Sequence, residues 1–136
     1  VFIDTSAFLA LLIVNDARHR EAVRAFRGLR ERRAPLVTTS YVLVETCALL
    51  DRRVGRGATR RFREDFEPLL DVVWVERAHH EPGLDLLLES SRGLGLVNAV
   101  SFTVAKSLGV VEAFAYDRNF TDAGLRQAED RPADSG

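Results

Sequence analysis

A chain of 136 residues, 46% of them hydrophobic, is sized for one domain with a substantial core. Its formal net charge of −1 selects no particular partner, and no apolar run is long enough to span a membrane. Cys47 is the only cysteine, which excludes an internal disulfide and suits a reducing cytoplasm; no signal-peptide pattern is visible.

Val1-Phe2-Ile3 is short, apolar and β-prone, as buried strands of parallel sheets are, and it runs straight into Asp4. Thr5-Ser6 then opens a helical run from Ala7 to Val14 that is apolar nearly all round. Taken alone, Asp4 reads best as a cap for that helix. Asp16 is placed to cap a helix from Ala17 to Arg33, where Ala22, Val23, Phe26 and Leu29 form an apolar stripe opposite arginines. Leu36 to Thr39 reads as a second strand, and Ser40 as the cap of a helix from Tyr41 to about Arg53. Gly55 and Gly57 separate this from an arginine-rich helix, Ala58 to Glu67, that carries Phe62 and Phe66 and is bent or ended by Pro68. Val72 to Val75, including Trp74, predicts a third strand. His79 to Ser91 is helical once past Pro82-Gly83, Arg92 to Gly95 is a loop, and Val97 to Leu108 is a helix ended by Gly109. Glu112 to Tyr116 predicts a fourth strand that delivers Asp117. The polar tail from Glu129 to Gly136 is expected to fray. The chain contains no methionine, even at position 1, and its native start is expected a few residues upstream.

Charge is unevenly spread. Lys106 is the only lysine; the other basic residues are arginines, seven between Arg18 and Arg33 and six between Arg52 and Arg63, the second run without an acid. Two such blocks on a near-neutral chain point to a surface that faces phosphates, although plain solvated helix faces read the same way.

Strands alternating with helices along the chain make a single α/β domain with a mainly parallel sheet and right-handed crossovers. Open sheets of this kind hold ligands at the carboxyl ends of their strands. Asp4 and Asp117 stand at two such ends, and Glu45 sits early in the helix after the second strand. The apolar neighbours of Glu45 (Val42, Leu43, Val44 and Leu49) predict a mostly buried helix, where a lone carboxylate is costly. Carboxylates gathered at one point raise each other's pKa, and a hard divalent ion relieves this. Caps and surface ion pairs are the plainer readings of each acid taken singly.

Four segments together resemble the PIN-domain ribonucleases, in particular the VapC-type toxins of bacterial toxin–antitoxin pairs. They are Phe2-Ile3-Asp4-Thr5-Ser6-Ala7; Thr38-Thr39-Ser40 with Glu45-Thr46; Gly95-Leu96-Val97-Asn98-Ala99-Val100-Ser101-Phe102; and Ala115-Tyr116-Asp117-Arg118-Asn119-Phe120. The likeness covers nearly the whole chain. It implies a PIN-like three-layer α/β/α fold with a parallel sheet of four to five strands in the order 3-2-1-4-5. Only four strands are visible, so a fifth is very short, near Arg126 to Ala128, or absent. The resemblance also implies an acidic site for Mg²⁺, with Mn²⁺ as a substitute, between strands one and four. Its further implications are endonucleolytic cleavage of RNA, a homodimer, and a cognate antitoxin whose tail lies over the acids. The apolar side chains Phe8, Leu9, Leu12 and Ile13 of the first helix lend the dimer modest support, since they exceed what one small domain needs to bury.

Asp4, Glu45 and Asp117 match the family's acids, but the fourth position, expected to be aspartate, is Asn98. An amide oxygen still ligates a metal yet brings no charge, so metal affinity and water activation both suffer. Its origin stays open between engineered inactivation and natural loss; a nearly isosteric exchange in an otherwise intact motif favours the first. Ser6 and Asn119 are candidates for supporting the acids or touching phosphate, against simple capping. Arg60 and Arg61 are candidates for holding the RNA backbone. His79 and His80 diverge on a helix and lack a third ligand, Cys47 reads as a small core residue, and Arg92-Gly93-Leu94-Gly95 lacks the Lys-Ser/Thr of a phosphate loop. An aspartate-nucleophile phosphatase would want a second Asp where Ser6 stands. The rival from another class is a non-catalytic RNA-binding or antitoxin-binding protein that keeps the fold around a dead site.

Overall fold

The computed structural model of the chain describes residues 1–91 and 93–128, so Arg92 and the tail expected to fray lie outside the described residues. β1 (Phe2–Ile3) gives way at once to α1 (Thr5–Leu12), because Asp4 takes an extended backbone and its side chain accepts from the Ser6 amide. This is the cap the sequence predicts, and it starts the helix two residues ahead of Ala7. α2 (His19–Glu31) starts later than Ala17, since Asp16 Oδ1 accepts from the Arg18 amide at 2.8 Å and closes a turn ahead of the helix.

β2 (Val37–Thr39) leads into α3 (Ser40–Arg53), and here Thr39 rather than Ser40 is the cap, its Oγ1 accepting from Val42 N at 3.2 Å. Ser40 Oγ instead accepts from Val75 N at 2.8 Å, which ties the start of α3 to the chain leaving β3 (Asp71–Val73). Between them α4 (Arg56–Arg61) begins on Gly55, whose φ of 128° suits only glycine, and Gly57 lies within the helix. The same rod widens into a π turn at Phe62–Phe66 and ends in a 3₁₀ turn, Glu67–Leu69, that contains Pro68. Trp74 falls outside β3, contrary to the predicted strand, and is exposed.

α5 (Arg77–Glu89) starts ahead of the predicted His79, with Glu76 N donating to His79 Nδ1 at 3.0 Å. The His80 ring is hydrogen-bonded to Tyr41 Oη at 2.7 Å, so the two histidine rings do diverge. α6 (Leu96–Ser107), β4 (Glu112–Phe114), α7 (Asn119–Asp122) and β5 (Arg126–Gln127) complete the chain. β4 stops short of Tyr116 because the Tyr116 amide donates to Ser6 Oγ at 2.9 Å instead of to a neighbouring strand. The fifth strand lies in the window between Arg126 and Ala128.

The sheet is parallel throughout, in the order β3-β2-β1-β4-β5. Right-handed crossovers put the helices after β1 and β2 on one face and those after β3 and β4 on the other. Accordingly α1 packs with α2 and α3, and α3 with α4, while α5 packs with α6, and α6 with α7. The reversal of direction between β1 and β4 opens a crevice at their carboxyl ends. Phe2, Phe8, Phe62, Phe114 and Phe120 are fully buried at the centre; Phe8 meets Phe62 edge-on at 4.9 Å. Phe8, Leu9 and Leu12 are buried within this chain and Ile13 is half-buried, so α1 offers no apolar surplus to a second copy. Cys47 sits half-buried at the rim of the core rather than inside it. Among the described residues no helix is long and apolar enough to cross a membrane.

The approach of α5 to α6 depends on Gly83. A Cβ there would lie 2.5 Å from Val100 Cγ2 and 3.0 Å from Val100 Cα. Alanine would favour the helix by about 1 kcal/mol, but crowding of this kind costs about 1–3 kcal/mol, and the Val100 backbone cannot turn aside. Gly83→Ala should therefore lower the urea midpoint; an unchanged or higher midpoint would show that the two helices slide apart freely.

Candidate active site

Strand register sets the heights of the groups. Phe2 pairs with both Val37 and Ala113, so Asp4, Thr39 and Ala115 stand level with one another at the carboxyl edge of the sheet. The carbonyl before Asp4 is held from the side: Thr38, fully buried, donates through Oγ1 to Ile3 O at 2.8 Å. Asp4 itself is only 3% exposed. Its Oδ2 accepts from Ser6 N at 3.1 Å and from Ser6 Oγ at 2.7 Å, while Ser6 Oγ accepts from Tyr116 N. Ser6 is therefore more than part of a cap, because it fastens Asp4 to the chain leaving β4. Asp4 Oδ1 is buried and has no hydrogen-bond partner among the described residues. Burial pushes the Asp4 carboxyl above its usual range; the Ser6 hydrogen bonds pull it back, and the charge of Glu45 adds to the rise.

Asp117 is held on both oxygens. Oδ1 accepts from Asn119 N at 2.9 Å, and Oδ2 accepts from Asn98 Nδ2 at 2.9 Å. Asn98 is the third residue of α6, in its first turn, and its side chain reaches Asp117 beyond β4. Asn119 Nδ2 also donates to Gly93 O at 3.2 Å, pinning the loop that leads into α6. Glu45, on the second turn of α3, is half-buried rather than enclosed, and its neighbour Val44 is 68% exposed.

Asp4, Glu45, Asn98 and Asp117 line one cleft of about 420 Å³, with Ser6 and Gly95 on its walls. Asn119 lies behind Asp117, and the arginines lie elsewhere. Arg60 lines a groove between α3 and α4, and Arg61 pairs with Asp65 at 3.6 Å. Among the described residues no three His, Cys, Asp or Glu side chains are gathered closely enough to hold a metal ion. Asn98, an amide, donates its N–H to Asp117 Oδ2 instead. The donor set nevertheless suits a hard ion, because the buried Asp4 Oδ1 is a carboxylate oxygen with no hydrogen-bond partner among the described residues.

The raised carboxyl of Asp4 has a consequence for stability. A folded-state pKa above the ordinary carboxylate value of about 3.9 imposes no penalty below that pH. The penalty grows as pH rises through the folded value and is then fully present. Asp4→Asn keeps an N-cap side chain and removes the charge. In chelator-treated buffer it should melt above the parent at pH 7, with the gap closed at pH 3.5; equal melting at pH 7 would show that the buried charge costs nothing.

Residues 1–125 match the family described as PIN domain. The 23S rRNA-specific endonuclease VapC20 of Mycobacterium tuberculosis, strain CDC 1551 / Oshkosh, is 35% identical over 128 residues, covering 92% of this chain and 95% of its own. The protein of the same name from strain ATCC 25618 / H37Rv gives the same figures. The crystal structure of Mycobacterium tuberculosis VapC20, described as a sarcin-ricin loop cleaving toxin, superposes with a TM-score of 0.81 at 32% identity. That match covers 91% of this chain and 95% of that one.

Proposed function

This chain belongs to the PIN domain family, and from that premise we propose that it is a toxin-type endoribonuclease, held back by Asn98. Its reaction is the metal-assisted hydrolysis of RNA phosphodiester bonds. The observation that carries the reading is the buried, unpartnered Asp4 Oδ1 in the cleft shared with Glu45, Asn98 and Asp117. Those four residues would hold the ion, Mg²⁺ or Mn²⁺ in its place, with the amide oxygen as the ligand from Asn98. When bound, the ion supplies positive charge that acidifies a water and steadies the charge developing on phosphate and leaving oxygen.

The chain's own residues supply position. Ser6 locks the carboxylate plane of Asp4 to the backbone after β4, and the Asn119 amide fixes Asp117. Ser6 and Asn119 thus act through the acids rather than on the substrate. The Asn98 amide competes for an Asp117 oxygen, which lowers activity without disturbing the fold. Arg60 and Arg61 add affinity for the RNA backbone; Arg61 is shared with Asp65, so Arg60 contributes more. The substrate class is a structured ribosomal RNA loop, by analogy with the VapC20 target. A cytoplasmic setting, a cognate antitoxin over the cleft and a homodimer complete the reading. The dimer now rests on family likeness alone, because α1 is already covered.

The test is cleavage of an RNA stem-loop with Mg²⁺ and with chelator, by this chain and by Asn98→Asp, with RNA binding measured beside it. A second reading draws on the Asn98–Asp117 hydrogen bond, which satisfies Asp117 without any ion: a non-catalytic protein that binds RNA or the antitoxin. Binding without cleavage by both proteins would decide for it.

A further inference from the structure

Trp74 is the only tryptophan of the chain, and 65% of it is exposed. Strand register places it. Thr39 is level with Asp4 on the neighbouring strand and pairs with Val73, so Trp74 stands one residue beyond the height of Asp4, on the same carboxyl edge of the sheet. Two strand spacings separate the lines of β1 and β3, about 10 Å. The backbone at this point is anchored, because Val75 N donates to Ser40 Oγ at the first turn of the helix that carries Glu45. The ring is therefore carried from a fixed point on the sheet edge that also carries Asp4, and it lines a cleft of its own.

Its surroundings are mixed in charge, with Arg56, Arg60 and Arg63 set among Asp51, Glu64 and Glu67. Arg63 lines a shallow cleft with Trp74, Pro68 and Val72, and also lines the groove that holds Arg56 and Arg60. Arg56 is engaged by Asp51 at 3.5 Å, whereas Arg60 and Arg63 have no ion-pair partner among the described residues. Glu67 lines the cleft of Trp74 as well, which disfavours an anion against the ring and suits a neutral aromatic group there. Among the described residues the other large exposed apolar side chains, such as Val14, Leu88 and Val111, line neither cleft, so the apolar surface at Trp74 is its own ring with Pro68, Leu70 and Val72.

We propose that Trp74 is a stacking platform for an unpaired base of the RNA, with Arg60 and Arg63 holding the adjoining phosphates. The role is one of positioning: it sets which nucleotide lies over the acids, and it rests on the ribonuclease reading. Stacking tolerates any base but requires one that is free of a partner.

As the only tryptophan, Trp74 reports on itself. Its fluorescence should be quenched on titration with a stem-loop RNA carrying unpaired purines, and not with a fully paired duplex of equal length. In anisotropy with labelled RNA, Trp74→Ala should weaken stem-loop binding roughly 5- to 150-fold and leave duplex binding unchanged, while Trp74→Phe retains most of the affinity. Stem-loop binding with unchanged Trp74 fluorescence and unchanged Trp74→Ala affinity would overturn the platform and leave the ribonuclease reading standing. A fluorescence change that follows protein concentration without RNA would also overturn it, in favour of a second copy covering the ring. Failure of the folded chain to bind any RNA would remove the ribonuclease reading, and the platform with it.

Discussion

Asn98→Asp is expected to raise Mg²⁺-dependent RNA cleavage by at least about 100-fold over this chain, measured as initial rates at saturating RNA with a chelator control. The bound on magnitude comes from a comparison. Losing a group that only orients a metal ligand typically costs 10- to 100-fold, and position 98 is itself a proposed ligand. In this chain its N–H donates to Asp117 Oδ2 at 2.9 Å, so one substitution both withholds a charge and occupies a neighbouring oxygen. An aspartate reverses both effects with almost no change of shape. A folded Asn98→Asp protein that binds RNA and still cuts nothing would end the nuclease assignment.

The same exchange should destabilise the metal-free protein. An ionised aspartate cannot donate, so the hydrogen bond to Asp117 is lost and two carboxylates face each other. Hydrogen bonds to charged groups contribute about 1.5–3 kcal/mol. Both residues are half-buried, which argues for the lower end. For a domain of this size that is a drop in melting temperature of roughly 5 °C in chelator. Mg²⁺ at 100 times the variant's dissociation constant would return about 2.7 kcal/mol, against about 0.4 kcal/mol for a parent that binds about 100-fold more weakly, and the difference exceeds the loss. Calorimetry should therefore show Asn98→Asp melting below the parent without metal and above it with metal. Identical melting in chelator would mean that the Asn98–Asp117 contact carries no energy.

The fold class was legible because apolar strands and helices alternate along the whole chain, and the strand order followed from four short motifs rather than from periodicity. What the sequence overstates is strand length. Val72 to Val75 and Glu112 to Tyr116 are apolar enough to be strands, but each stops early where a serine hydroxyl takes the next amide: Ser40 for Val75 and Ser6 for Tyr116. Those partners lie 35 and 110 residues away, so no local window contains them. The burial of Glu45 is overstated for a related reason. Apolar neighbours say that a helix has a buried face, but not which residues stand on it, and Val44 turns out to face solvent. Asp4 shows the opposite case, where a cap and a proposed site acid, read as alternatives in the sequence, can be one side chain, since Oδ2 caps the helix and Oδ1 is left over.

Mn²⁺ binding tests most directly the claim that these side chains form a divalent-cation site. Free Mn²⁺ can be followed by electron paramagnetic resonance during titration of this chain, Asn98→Asp and Asp4→Asn. Saturable binding is expected that is tightest for Asn98→Asp, weaker for the chain with its amide, and weakest for Asp4→Asn, in which the buried orphan oxygen is no longer a carboxylate. Equal Mn²⁺ affinity in all three proteins, or Asp4→Asn binding as tightly as Asn98→Asp, would contradict it.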